Sequence, residues 1–269
     1  MCRPLLMLTF AFNYANGGLN PIGYHIVNIL FHFLNAVLLF TLLKSLSILP
    51  ARASHQKCPP GGWTKVPKGL LFLITLLFAV HPLNTEAVTY ISSRSDLMVT
   101  LFILSGFILY IRKRYILTLL MYVFALLSKE TGMCLPLLLL AYDFIYNSAD
   151  FSSIKSWFNK KRAVFYTGLI LTTVLYLIYK LIIFHSQGAR IIRSYYSNIL
   201  IQSVVALLYL KLFLFPAPLN ILHYIPGYSS IFNPPALIAA ITLLFSISLI
   251  FILKKKYRRI SLGISWFLI

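Results

Sequence analysis

Acidic residues are nearly missing from this 269-residue chain: five Asp and Glu stand against 24 Lys and Arg, a formal net charge of +19. Charge of either sign is scarce, at 11% of residues, where soluble domains carry about 25%. With 59% hydrophobic residues and a mean hydropathy of +0.84, the chain cannot hide its apolar surface within itself. A soluble globular class is excluded, and a multispan membrane protein is expected. Cysteine is also rare. Cys2, Cys58 and Cys134 give neither a disulfide framework nor metal-ligand spacing, and Cys134, inside an expected span, reads as an inert small hydrophobe. There is no P-loop, Gly-rich dinucleotide turn, zinc signature or Ser-His-Asp arrangement. The N-terminus, MCRPLLMLTFAFNY, has no basic region leading into an apolar stretch and a cleavage site, so no signal peptide is read there.

The basic excess does not point to nucleic acid, because it sits in short clusters beside apolar runs. Lys44, Arg52, Lys57, Lys65 and Lys68 form the first. Arg112, Lys113 and Arg114 form the second; Lys155, Lys160, Lys161 and Arg162 the third; Lys254, Lys255, Lys256, Arg258 and Arg259 the fourth. That is the positive-inside pattern, with anionic headgroups as the counter-charge. Apolar runs must be helical in lipid, where a lone strand leaves its backbone unpaired. Spans are expected near 23–43, 66–81, 85–111, 115–128, 132–147, 163–184 and 235–253, and another from 260. The runs at 66–81 and 115–128 are short for a bilayer core of about 30 Å. The basic loops then face the cytosol, and residues 1–22, 81–84, 128–131 and 185–234 face the other, luminal side. Residues 199–215 are expected to form an amphipathic helix in the luminal interface, because a span there would move the fourth cluster to the wrong side. The Pro- and Gly-bearing stretch 44–68 reads as an irregular connector.

Against this background the few carboxylates are informative, since one beside a membrane needs a partner, water or a chemical role. His81-Pro82 should end one helix, because proline lacks the N–H that would continue it. Asn84 or Thr85 would cap the next, with Glu86 in its first turn. Read as one helix over 85–111, Glu86 and Arg94 lie about 12 Å apart along the axis and roughly 80° apart around it. Arg94 and Asp96 point to different sides, so these charges must find partners on other helices or on a ligand. Lys129 and Glu130 cap a hairpin at the same level, the cation suited to a phosphate and the anion to positioning it. Asp143 reads as a helix-packing residue and Asp150 as a solvated loop charge. His25, Asn28 and His32 share a face of the first span and suit interhelical hydrogen bonds better than a metal. Arg190 and Arg193 add two cations that suit either a phosphate or the solvated surface of a luminal loop.

The segments RPL (3–5), GGLNPIGYHIVNILFH (17–32), FAVHPLNTEAVTYISSRSDL (78–97), LLSKETG (126–132) and FLFPAPLN (213–220), in this order, resemble one family. It is the endoplasmic-reticulum protein O-mannosyltransferases that join a multispan domain to tetratricopeptide repeats. The resemblance implies a GT-C-like, all-α polytopic bundle in the endoplasmic-reticulum membrane. It implies a lipid-linked donor, dolichyl phosphate mannose, and Ser or Thr hydroxyls of luminal proteins, cadherin-type domains among them, as acceptors. No nucleotide, metal or other cofactor is implied. Arg94, Lys129 and Arg190 or Arg193 would then meet the donor phosphate, while His81, Glu86, Asp96 and Glu130 organise the site. It also implies an earlier span, an acidic luminal loop holding the general base, and C-terminal repeats. None of these falls within residues 1–269, so no catalytic base is assigned. A small-molecule transporter and a non-catalytic membrane scaffold are the competing classes. A transporter site belongs near mid-membrane. Glycosylation acceptors inserted beside His81 and beside Lys129 should both be modified. Modification of only one would place the two turns in opposite compartments and disperse the charged cluster.

Overall fold

A computed structural model describes residues 3–48, 66–146, 160–184, 194–217, 219, 226–228, 230–254 and 256–269. Arg190, Arg193, Asp150 and residues 49–65 of the 44–68 connector lie outside them, while 44–48 continue a helix rather than an irregular connector. Among the described residues the chain is entirely helical apart from turns and short linkers. Five helices are long and apolar enough to cross a membrane, so the chain is an all-α polytopic membrane bundle. It divides into two compact units, Met1–Leu177 and Ile178–Ile269.

The first unit opens with α1 (Pro4–Gly17), within the stretch 1–22 expected as a luminal segment. The proline at its start is tolerated because the N–H it lacks would be unpaired in a first turn, and Gly18, at φ 58°, turns the chain into α2 (Pro21–Ile48). After the connector, α3 (Lys68–Val80) stops where His81 turns extended ahead of Pro82. The single helix expected over 85–111 is three pieces: α4 (Asn84–Thr89), a 3-10 turn (Ile91–Ser93) and α5 (Arg94–Ile111). Tyr90 breaks it by adopting an extended backbone (φ −85°, ψ 113°). Glu86 and Arg94 therefore do not share an axis. Asn84 does not cap α4 either; its Nδ2 reaches back 2.6 Å to the Phe78 carbonyl and ties α4 to the end of α3.

Such breaks expose carbonyls that no helix pairs, and α2 answers them. Asn28 Nδ2 donates to Val88 O at 3.3 Å, and His32 Nε2 to Ala79 O at 3.0 Å. Asn35 Nδ2 adds a bond to Leu97 O at 2.9 Å. The polar face of the first span is thus an interhelical hydrogen-bonding edge. α6 (Tyr115–Ser128) returns antiparallel to α5, a 3-10 turn (Glu130–Met133) follows, and α7 (Cys134–Tyr146) and the part of α8 (Lys160–Phe184) up to Leu177 complete the unit. α3, α6 and α7 have 13, 14 and 13 residues. At 1.5 Å per residue they are about 20 Å long, shorter than a bilayer core, a mismatch that bilayer thinning, snorkelling side chains or burial among neighbours must absorb. Packing centres on α5, where Leu97, Met98, Leu104, Phe107 and Ile108 are buried. At its far end the Tyr110 and Tyr166 hydroxyls donate to Asp143 Oδ2, at 2.5 and 2.8 Å, which gives the buried Asp143 the packing role expected of it.

The second unit holds α9 (Tyr195–Leu214), α10 (Pro234–Leu253) and α11 (Arg258–Leu268). Ser194 caps α9, its Oγ accepting from Ser197 N–H at 3.2 Å. Against expectation α9 has no separate polar face: exposed Tyr195, Ile199, Tyr209 and Phe213 lie on the same side of the helix as Asn198 and Gln202, and its length and composition suit a span. Yet the starts of α9 and α10 meet. Leu200 and Ile201 pack with Tyr228 and Ala236, and Ile231 N–H donates to Tyr196 Oη at 3.1 Å. None of the described residues between these helices is helical, and non-helical backbone crosses lipid only where protein buries it. Cysteines placed at Ser194 and at Phe215 should therefore react with an impermeant maleimide from the same side. Labelling from opposite sides would make α9 a full span.

A charged cluster at one end of the first unit

The ionisable residues expected at the site do converge, but not all of them and not in the expected roles. The start of α5 and the end of α6 lie at one end of the bundle. There Lys129 Nζ pairs with Asp96 Oδ1. Beside it Glu130 Oε2 accepts from Arg3 Nη2 at 3.3 Å, while Arg3 Nη1 donates to Ser95 Oγ at 3.1 Å. Two ion pairs from three distant segments, RPL, SRSD and SKETG, thus share one surface. Each is partly exposed, so each contributes about 0.2–1 kcal/mol at most to stability. Their value lies in placing charge rather than in holding the fold.

The turn under Lys129 is fixed by packing. Lys129 is extended (φ −158°, ψ 150°), and Gly132 N–H closes on its carbonyl at 3.0 Å. A Cβ at Gly132 would lie 2.7 Å from Ala125 C and 2.9 Å from Leu126 N, so only glycine lets the turn lie against α6. This is why glycine closes the SKETG segment.

Arg94, expected at a donor phosphate, is instead completely buried. Its Nε donates to Asn28 Oδ1 at 2.8 Å, Nη1 to Asn13 Oδ1 at 2.6 Å and Thr9 Oγ1 at 3.3 Å, and Nη2 to Tyr24 O at 3.1 Å. The guanidinium also lies over Phe10, 4.7 Å from the ring centroid, and near Tyr24 at 5.6 Å. The planar fork of donors reaches from α5 to both α1 and α2 at once, in a fixed geometry that an ammonium cannot reproduce. The physical reason for the correction is this saturation: the donors are committed inside the protein, and no surface of the residue reaches a ligand.

The other expected residues stand apart. Glu86 is exposed in the first turn of α4 and joins neither pair. His81 is half-buried, its Nδ1 accepting from Leu83 N–H at 3.2 Å, which serves the turn it ends. Arg3 was missed as a site residue. Its signal was present in the RPL segment, but a cation before a helix has no partner until Glu130, 127 positions away, is brought to it.

Parts of the chain are similar to named relatives. It is 39% identical to the protein O-mannosyl-transferase Tmtc3 of Drosophila melanogaster over 111 residues, 40% of this chain and 12% of that protein. It is 38% identical to TMTC4 of Mus musculus over 109 residues, 40% of this chain and 14% of the relative. With TMTC1 of Homo sapiens the identity is 33% over 171 residues, 56% of this chain and 17% of the relative. The matched segments are thus less than a fifth of these relatives' length. No family model and no solved structure matches. The resemblance to the transmembrane-and-repeat O-mannosyltransferases therefore stands over about half the chain.

Replacing Arg94 by Met should leave the acceptors on Asn13, Asn28, Thr9 and Tyr24 unpaired and cost about 3 kcal/mol or more. Arg94→Lys, which keeps the charge but not the fork, should also lower the melting temperature in detergent. Both variants should speed amide exchange in residues 4–17. Wild-type melting and exchange in Arg94→Lys would show that charge alone, not the fork, holds α1.

Proposed function

We propose that this chain is the membrane core of a GT-C-type enzyme that transfers mannose from dolichyl phosphate mannose to Ser or Thr hydroxyls of luminal proteins. The observation that carries the reading is the cluster itself. The segments that resemble the O-mannosyltransferases bring Lys129, Asp96, Arg3 and Glu130 together at one end of the bundle. A reaction at a lipid headgroup needs charge at that depth, whereas a transporter site belongs near mid-membrane. The names of the similar relatives support the same class.

In this reading the cluster end faces the lumen of the endoplasmic reticulum and the basic clusters face the cytosol. Transfer breaks the bond between the anomeric carbon and the phosphate oxygen, whose electron pair stays on the phosphate. The acceptor oxygen bonds to that carbon, and its proton passes to a carboxylate base. Lys129 stabilises the charge that builds on the departing phosphate. Arg94 is the clamp beneath, Asp96 and Glu130 set the cations, and His81 and Glu86 shape the rim. Arg190 and Arg193 are retained as further phosphate partners. The donor brings its own activated bond, so the proposal asks for no cofactor. Cadherin-type domains are the acceptor class to test.

Membranes carrying the chain, illuminated with a photoreactive dolichyl phosphate mannose, should crosslink it. Lys129→Ala should lower that labelling about tenfold, in line with loss of one charge-assisted contact. Excess dolichyl phosphate mannose should compete and GDP-mannose should not. Equal labelling of the variant would remove Lys129 from the site; competition by GDP-mannose would point to a nucleotide donor instead.

A further inference from the structure

We propose that Asp96 is a placeholder for the donor phosphate: it holds Lys129 when the site is empty and yields it when a phosphate arrives. The inference rests on the proposed phosphate site and adds how that site is kept ready. Lys129 Nζ has three hydrogens to donate, and its one acceptor among the described residues is Asp96 Oδ1. Asp96 uses that oxygen alone, and its side chain is 43% exposed against 24% for Lys129. An exposed carboxylate facing a sheltered ammonium is an easily exchanged partner.

The neighbouring pair is built differently. Arg3 grips both Ser95 and Glu130, so losing one contact leaves the other. The backbone beneath Lys129 is immobilised by the close approach of Gly132 to α6, so exchange needs only the flexible lysine stem to move. A partly exposed ion pair is cheap to open, whereas a phosphate oxygen offers a charge-assisted bond of similar geometry. Asp96 therefore competes with the ligand. Its removal should raise phosphate affinity, the reverse of what loss of a contact or a supporting residue does.

The test uses the full chain in nanodiscs, titrated with dolichyl phosphate, with phosphatidic acid and with inorganic phosphate. Asp96→Asn should bind dolichyl phosphate about threefold to tenfold more tightly than wild type. Lys129→Ala should bind more weakly, and the double variant should match Lys129→Ala, because the gain acts through the freed ammonium. Asp96→Glu, which keeps the carboxylate, should show no gain and controls for folding. The same gain with inorganic phosphate supports the exchange and assigns recognition to the phosphate group; a gain confined to dolichyl phosphate supports it and adds the polyprenyl chain. Unchanged or weaker binding by Asp96→Asn, with Lys129→Ala still weakened, overturns the placeholder while leaving the phosphate site standing. If neither single variant alters binding of any of the three probes, the phosphate site and the exchange fall together.

Discussion

The buried guanidinium of Arg94 is the constraint on which this end of the molecule depends. A fully buried charge is costly unless hydrogen bonds and polarisable neighbours replace its water. Here Asn13, Asn28, Thr9 and the Tyr24 carbonyl supply the acceptors, and the Phe10 and Tyr24 rings lie against the cation. Because these groups come from α1 and α2 while the arginine comes from α5, none of the three can shift without leaving the charge unpaired. Elsewhere α1 buries Leu6, while Met7, Leu8, Phe12 and Tyr14 are exposed. The clamp, with Arg3 at the opposite end of the same helix, is what seats it.

That seating makes the surface cluster possible. Arg3 reaches Ser95 and Glu130 only because α1 is fastened across the start of α5. Asp96 follows two residues after the clamp, so the register that buries Arg94 also turns Asp96 outward to Lys129. The helix break at Tyr90 is a precondition. A continuous helix from residue 85 would carry Arg94 away from Asn28, and the Val88 carbonyl beside the break is met by Asn28 on α2.

Much of the architecture was legible in the sequence because lipid leaves few options. Long apolar runs must be helices, and α2, α5, α8 and α10 lie close to the expected spans. Asn28 and His32 were legible as interhelical donors from their shared face, and Asp143 as a packing residue. What could not be read depended on contacts between distant segments. Arg94 looks like a ligand-facing cation until α1 supplies acceptors 81 and 85 positions away. α1 itself escaped notice because it is short and follows no strong apolar period. The break at Tyr90 escaped because nothing in the local sequence, neither proline nor glycine, announces it. α9 was expected in the interface because a span there would move the fourth basic cluster across the membrane, a constraint of sidedness that its own length and composition do not carry.

The charges at this end also explain why the cluster is paired rather than open. Arg3, Arg94 and Lys129 are cations, and Asp96 and Glu130 are carboxylates, so the group carries one net positive charge. A phosphodiester carries one negative charge, and a freed phosphate monoester between about 1.5 and 2 at neutral pH, as phosphorylated side chains do. A cluster of bare cations would bind the monoester most tightly and retain it. Two carboxylates within the cluster lower the field so that a singly charged diester balances it, and a phosphate that gains charge meets it with growing but limited attraction. Stabilisation that increases as charge develops accelerates a reaction, whereas uniform tight binding does not. At the proposed donor site the carboxylates would thus be as much a part of the phosphate chemistry as the cations they pair with.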